Sequence, residues 1–156
     1  MDNAILGVIG LGQMGGPVAR NFASAGYTVS VYDLVPEKVD ACVEAGAVAA
    51  ESASAVVDQS DIVFTSLPHS HVFVQVAEAE MLPRARSGQV FVDLGTVKVA
   101  ETQRLARRFA ERDAVLLDVP VSGGHGGSVS GTRRMFGGGD EAVFGSLRDL
   151  LEVIGD

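Results

Sequence analysis

Among its 156 residues the chain has one cysteine, no tryptophan and no apolar run of membrane-spanning length. The lone Cys42 has no partner for a disulfide within the chain, which favours a reducing compartment. A spanning helix requires roughly 20 apolar residues, and the first nine residues lack the basic region of a signal peptide. The sequence therefore predicts a cytoplasmic protein with no membrane partner.

Basic residues are also scarce, since 12 lysines and arginines stand against 20 aspartates and glutamates, for a net charge of −8. That balance argues against nucleic acid or an anionic membrane as a partner, although backbone amides would still hold a small anion locally. The length and the 47% hydrophobic content predict one globular domain, residues 1–156, with a substantial core.

Short apolar runs alternate along the chain with segments of helical period. The predicted strands are 4–10, 28–33, a short one near Val48, 61–67, 89–94, 114–119 and a weaker one at 133–137. The predicted helices are 14–26, 36–46, 52–59, 71–80, 99–112 and a last one that starts after Asp140. This alternation predicts an α/β fold, a doubly wound parallel sheet (Rossmann fold), in a single domain.

The turn after the first strand, GLGQMG, has glycines at the G-x-G-x-x-G spacing. Gly10 permits the tight turn, Gly12 lets a diphosphate approach the backbone, and Gly15 lets helix and strand pack closely. The phosphates would lie at the helix amino terminus, where free amides and the helix dipole favour negative charge. The motif alone is weak evidence, and its position between a strand and a helix strengthens it.

Asp33 ends the second strand, about 20 residues beyond the glycine turn, where a carboxylate meets the adenosine ribose hydroxyls. A carboxylate there repels a 2′-phosphate, and Leu34 occupies the position where an NADP enzyme often has arginine. We therefore expect NAD, with NADP as the less favoured cofactor. The alternative is that Asp33 begins a solvated turn and that the glycines only shape the junction.

Ligands of such sheets bind beyond the carboxyl ends of the strands, which makes the residues after each strand candidates. After the fourth strand, Leu67 and Pro68 would pass beneath the cofactor, and His69 or His71 could touch it. Proline restricts the preceding residue to an extended conformation, which keeps this edge rigid. For either histidine, an exposed loop position is the alternative.

After the fifth strand, Thr96 is placed to offer its hydroxyl to the nicotinamide carboxamide or ribose. A simple helix cap is an almost equal alternative for this threonine. Lys98 could be taken for a catalytic acid, and a solvated surface lysine is the better interpretation.

The sixth strand leads into VPVSGGHGGSVSG, residues 119–131, which contains five glycines. Such a segment loses much entropy on ordering and buries little, so packing alone does not explain it. Backbone amides of Ser122, Gly123 and Gly124 could form a nest that holds a carboxylate, with His125 as weak support. The alternative is a floppy connection.

Two segments together resemble the β-hydroxyacid dehydrogenases, the group of 3-hydroxyisobutyrate dehydrogenase, tartronate semialdehyde reductase and 6-phosphogluconate dehydrogenase. They are GLGQMGGPVARNFASAGYTVSVYD, residues 10–33, and DVPVSGGHGGSVSGTRRMFGGG, residues 118–139. The resemblance implies an amino-terminal NAD-binding domain of the 3-hydroxyisobutyrate dehydrogenase type, with Ser122, Gly123 and Gly124 holding the substrate carboxylate. It also implies contacts to the cofactor from Gly10, Leu11, Gly12, Gln13, Met14, Gly15, Asp33, Leu67, Pro68, His71 and Thr96.

Three positions depart from the family pattern. Arg133 and Arg134 stand where relatives have an apolar and then a small residue, and Gly137 replaces a β-branched residue, which should weaken its strand. The family's catalytic lysine follows in a helix that this sequence does not contain, so we expect no catalytic residue, no metal and little turnover from this chain alone. The family's helical domain is likewise absent, and the full-length form is expected to be a homo-oligomer.

The sequence thus predicts hydride transfer between NAD and the 3-hydroxyl of a small hydroxyacid, or reduction of the semialdehyde. One alternative is an NADP-dependent relative such as an imine reductase or a 6-phosphogluconate dehydrogenase. A second alternative is a nucleotide-binding or interaction module without catalysis.

Overall fold

A computed structural model of the chain describes residues 4–122 and 134–155. Six strands form one sheet in the order β3-β2-β1-β4-β5-β6, and every neighbouring pair is parallel. They are β1 Leu6–Ile9, β2 Val29–Tyr32, β3 Val48–Ala49, β4 Ile62–Thr65, β5 Val90–Asp93 and β6 Val115–Asp118. The strand order reverses between β1 and β4, so the predicted doubly wound parallel sheet is confirmed.

Helices connect the strands where the helical period predicted them. They are α1 Gly15–Ser24, α2 Pro36–Val43, α3 Ala53–Gln59, α4 Ser70–Val76, α5 Val99–Ala110, α6 Glu141–Ser146 and α7 Arg148–Glu152. The helix predicted at 71–80 is α-helical only to Val76 and continues as a π-helical turn, Ala77–Met81, and a 3-10 turn, Leu82–Arg84. The sheet and these helices form the three layers of the domain.

The last helix was predicted as one and is two, because the chain turns at the buried Leu147. Asp140 does cap α6 as predicted, accepting a hydrogen bond from the Val143 N–H at 3.0 Å. Gly145 lies just before the break, and glycine disfavours helix continuation. The break still lets Leu147 and Leu151 face the core.

The core has two halves, one on each face of the sheet. Alternate residues of β4 show the division, because Phe64 packs on the side of α1 and Val63 packs on the side of α3, α4 and α5. Leu105 and Phe109 of α5 are fully buried in the second half, as their spacing predicted. Burial on both faces explains why the strands are continuous apolar runs rather than alternating ones.

Beyond β6 the chain forms an antiparallel extension. The strand β7, Val121–Ser122, pairs with β8, Arg134–Met135, and Asp118 and Gly138 exchange two backbone hydrogen bonds. The strand predicted at 133–137 is therefore shorter within the described residues. A Cβ at Gly137 would collide with the ring of Phe144, so this glycine accommodates the packing of α6.

Candidate functional site

Two of the three motif glycines are required by the fold itself. Gly10 has a φ of +89°, and a Cβ there would also collide with the carbonyl oxygen of Ser66. A Cβ at Gly15 would collide with the carbonyl oxygen of Gly10. Both positions therefore need glycine for the turn to close between β1 and α1, as the motif predicted.

Gly12 differs from both, because nothing in the described part of the chain requires it to be glycine. Its φ lies outside the left-handed region, and a Cβ built on it meets no atom within 4 Å. Gly12 borders a cavity at the start of α1, whose first turn contains no acidic residue. An open space that a side chain would fill, next to a helix amino terminus, fits a diphosphate.

Asp33 lies close to the glycine turn, and its carboxylate is held in place. Its Oδ2 accepts a hydrogen bond from the Leu11 N–H at 2.6 Å, and its Oδ1 accepts one from the Val35 N–H at 2.9 Å. The Lys38 ammonium is 3.9 Å from Oδ1, and the Asp33 side chain is only 11% exposed. The carboxylate is therefore not in a solvated turn, and it both fixes the glycine turn and borders the cavity.

The cavity has a volume of about 980 Å³ and follows the carboxyl ends of β2, β1, β4 and β5. It thus spans the point where the strand order reverses, where ligands of such sheets bind. Most of the predicted cofactor residues line it, namely Gly10, Gly12, Gln13, Met14, Asp33, Leu67, Pro68 and Thr96. Leu11, Gly15 and His71 do not line it, and the cofactor contacts of all eleven residues remain predictions.

Thr96 lines the cavity from the loop after β5, and α5 starts only at Val99. The residue at the helix cap position is Lys98, so the structure contradicts the interpretation of Thr96 as a helix cap. The Ser70 hydroxyl donates to the Thr96 carbonyl oxygen at 3.4 Å and accepts from the Lys98 N–H at 3.2 Å. These bonds hold the Thr96 loop against the start of α4. Lys98 is exposed and outside the cavity lining.

The two histidines stack on each other beside the cavity rather than in its lining. The ring centroids of His69 and His71 are 5.5 Å apart, with an interplanar angle of 12°. His69 occupies the position before α4, where its side chain makes no capping hydrogen bond. The structure therefore brings neither ring into the cavity.

The predicted substrate segment begins beside the cavity. Val121 lines the cavity, and Ser122 follows it in β7. Gly123 and Gly124, together with His125 and Arg133, lie outside the described residues. A carboxylate site at Ser122, Gly123 and Gly124 remains a prediction.

Five polar residues of the cavity lining were missed by the sequence analysis, Tyr32, Lys38, Ser66, Gln75 and Glu80. Glu80 lies in the π-helical turn, and its Oε2 accepts a hydrogen bond from the Ser54 N–H at 3.1 Å. Sequence analysis placed this residue in a regular α-helix, because π-helical turns are rare and the helix was predicted to continue to Glu80. Lys38 lies in the first turn of α2, five residues after Asp33. This short separation could have identified it as a neighbour of the Asp33 carboxylate.

Asp93 was also missed, and it is the most deeply buried carboxylate near the cavity. It ends β5 with 2% exposure, and Thr65 Oγ1 donates to its Oδ1 at 2.6 Å. Burial, and to a smaller extent the charge of Asp118, raise the pKa of Asp93 against the opposing effect of the Thr65 hydroxyl and the Gly95 backbone N–H, and the net pKa is about 6. Burial also raises the pKa of Asp118 on β6. These carboxyls lie in register on neighbouring strands.

Within the described residues, no group of three or more histidine, cysteine, aspartate or glutamate side chains is arranged to hold a metal ion. The helices of the described chain are too short or too polar to cross a membrane.

Comparison with known proteins adds independent information. The family described as the NAD binding domain of 6-phosphogluconate dehydrogenase matches residues 5–156. A 2-(hydroxymethyl)glutarate dehydrogenase of Eubacterium barkeri is 40% identical over 158 residues, covering 99% of this chain and 52% of that protein. An NAD-dependent L-serine dehydrogenase of Pseudomonas aeruginosa is 38% identical over 149 residues, covering 94% of this chain and 50% of that protein.

A solved structure of 3-hydroxyisobutyrate dehydrogenase from Mycobacterium tuberculosis, with L-serine, has the same fold. It superimposes with a TM-score of 0.92 at 30% identity, over 98% of this chain and 52% of that one. The chain therefore spans about half the length of the relatives that it matches.

Proposed function

The chain belongs to the family of the NAD-binding domain of 6-phosphogluconate dehydrogenase, and from that membership we propose that its cavity binds NAD. The resemblance to the β-hydroxyacid dehydrogenases is confirmed by the same match and by the relatives. The observation that carries the proposal is Gly12, which borders the cavity at the start of α1 and whose Cβ would meet no atom of the described chain.

Each part of the cavity has a role in this proposal. The backbone at Gly12 and the amino terminus of α1 take the diphosphate, and the Asp33 carboxylate accepts hydrogen bonds from the adenosine ribose. Leu67 and Pro68 form the wall beneath the cofactor, and the Thr96 hydroxyl meets the nicotinamide end. Bound NAD would supply a ring that accepts a hydride from a carbon bearing a hydroxyl group.

We further propose that the whole protein oxidises the 3-hydroxyl of a small hydroxyacid, or reduces the corresponding semialdehyde. The dehydrogenase relatives support this proposal, and so does Val121, which lines the cavity just before the segment 122–124. The Ser122, Gly123 and Gly124 amides would hold the substrate carboxylate there.

An NADP-dependent activity is the second candidate, because Lys38 lies at the same end of the cavity as Asp33. Its ammonium would attract the 2′-phosphate that the Asp33 carboxylate repels. Asp33 is the more buried of the two side chains and the more firmly held, which favours NAD.

Gly12→Ala tests the proposal with little risk to the fold, because its Cβ meets no protein atom. We expect the added methyl group to weaken NADH binding by about 1–3 kcal/mol, typical of overpacking, which corresponds to roughly five- to 150-fold in Kd. Calorimetric titration with NADH measures this change, and NADPH titrated in parallel gives the cofactor preference.

Gly145→Ala is the matched control, since its Cβ also meets no atom and Gly145 lies in α6, outside the cavity lining. It should leave NADH affinity unchanged. Unaltered NADH binding by Gly12→Ala would show that the cofactor lies elsewhere, and tighter binding of NADPH than of NADH would favour the second candidate.

A further inference from the structure

Asp93 keeps a buried carboxylate oxygen without a hydrogen-bond partner. Its Oδ1 accepts a hydrogen bond from Thr65 Oγ1, whereas its buried Oδ2 has no hydrogen-bond partner of good geometry within the described chain, although the Gly95 backbone N–H acts on the carboxylate. A buried polar atom left unpaired costs free energy, so stability alone gives no reason for a carboxylate at this position. A role toward the adjacent cavity would provide that reason.

Asp93 lies under two loops that together form one wall of the cavity, Ser66–Pro68 after β4 and Leu94–Thr96 after β5. We call them the double-loop wall. The Thr65–Asp93 hydrogen bond joins the residues from which the two loops start. A Cβ at Gly95 would lie 3.3 Å from Oδ2 and 3.4 Å from Oδ1, so the carboxylate packs directly against the Gly95 backbone.

The groups around Asp93 act on its charge in different directions. Burial disfavours the ionised form, and so does the charge of Asp118 on β6. The Thr65 hydroxyl on β4 and the Gly95 backbone N–H favour it. Asp118 is the charged group of the described chain that acts on Asp93, and together these effects raise the pKa of Asp93 to about 6.

We propose that Asp93 is a proton-linked positioning residue: its ionised carboxylate holds the double-loop wall in the arrangement that binds the cofactor, and protonation releases the wall. The carboxylate acts through Thr65 and Gly95 and does not border the cavity itself. This inference rests on the proposed function of the cavity as an NAD site.

Titration calorimetry with NAD between pH 5 and pH 8 tests the proposal on the wild-type chain and on Asp93→Asn. With a pKa of about 6, roughly one tenth of Asp93 is ionised at pH 5, so the apparent Kd should be about tenfold higher there than at pH 8. Asp93→Asn should bind more weakly than wild type at pH 8 and should lack this dependence.

Thr65 provides a second, matched pair of variants. Thr65→Val removes the hydroxyl that favours the ionised carboxylate, so the pH midpoint of binding should move upward. Thr65→Ser keeps the hydroxyl and should keep the wild-type midpoint.

Unfolding of the chain without cofactor separates positioning from a purely structural role. At pH 8, Asp93→Asn should unfold at a denaturant concentration no lower than wild type, because the substitution removes a buried charge. Marked destabilisation by Asp93→Asn would assign the carboxylate to structure and overturn the proposal.

Two binding results distinguish failure of this inference from failure of the proposed function. NAD affinity that is the same at pH 5 and pH 8, or that changes equally in wild type and Asp93→Asn, would overturn this inference alone. Absence of NAD binding at every pH would overturn the proposed function and this inference with it.

Discussion

Asp33 and Asp93 lie at the same edge of one sheet, yet their surroundings differ sharply. Asp33 accepts two backbone N–H bonds from neighbouring loops and borders the cavity. Asp93 is almost fully buried and leaves one oxygen unpaired. The first carboxylate completes hydrogen bonds that its turn requires, whereas the second introduces a charge that burial disfavours. Position at the carboxyl edge therefore suggests a role, and the local environment decides which one.

The largest expected effect is on the pH dependence of folding, and it arises from Asp93. Its pKa in the folded chain is raised to about 6, so between roughly pH 4 and pH 6 the folded chain binds more protons than the unfolded chain. The contribution of Asp93 to stability is therefore present at low pH and lost as the pH rises through 6. We expect wild type to lose up to about 3 kcal/mol relative to Asp93→Asn over this range.

Urea unfolding of both proteins at several pH values between 3.5 and 7.5 measures this difference. The two proteins differ only at position 93, so subtracting one profile of unfolding free energy against pH from the other isolates the contribution of Asp93. Parallel profiles would mean that the Asp93 environment in solution does not disfavour its charge, and the contrast with Asp33 would disappear.

Asp33 should show the next largest effect, on cofactor affinity. Asp33→Ala removes the proposed ribose acceptor and releases the Leu11 N–H, which together should weaken NADH binding by about 2 kcal/mol, or roughly thirtyfold. NADPH binding should weaken less, because repulsion of the 2′-phosphate is also removed. Calorimetric titration with both dinucleotides measures the two changes.

Asp40→Ala is the control for charge, since Asp40 is exposed on α2 and does not line the cavity. It should change neither affinity by a measurable amount. Equal losses of NADH and NADPH affinity in Asp33→Ala would leave Asp33 as a structural residue of the turn without a part in cofactor preference.

The sequence predicted Asp33 and missed Asp93 for a physical reason. Local periodicity and spacing identify elements and motifs, and they located all six strands of the parallel sheet and the glycine turn. The effect of Asp93 depends on Thr65 and Asp118, which lie 28 and 25 positions away and meet it only through strand register. Burial and register are properties of the assembled sheet.

The same limit applies to helices whose period changes. The helical period predicted continuous α-helix through Leu147 and through Ala77–Met81, where the structure has a break and a π-helical turn. Glu80 entered the cavity lining through that turn. Gly12, in contrast, was predicted from spacing and then distinguished from Gly10 and Gly15 only by the open space around it.

The smallest expected effect concerns Lys38, which sharpens the assignment of cofactor preference to Asp33. The Lys38 side chain is 43% exposed and its ammonium is 3.9 Å from the carboxylate, so solvent screens the pair. Lys38→Met should weaken NADPH binding by about 0.5 kcal/mol, or roughly twofold, and leave NADH binding almost unchanged, because only NADPH carries the 2′-phosphate.

Lys98→Met provides the matched control, as Lys98 is exposed but does not line the cavity. Titration at low and high salt adds a second criterion, since an exposed charge should lose its influence as ionic strength rises. A tenfold or larger loss of NADPH affinity in Lys38→Met would mean that the ammonium holds the phosphate directly. In that case the preference between NADH and NADPH would be set by the opposing charges of Lys38 and Asp33, and the Asp33 carboxylate alone would no longer account for it.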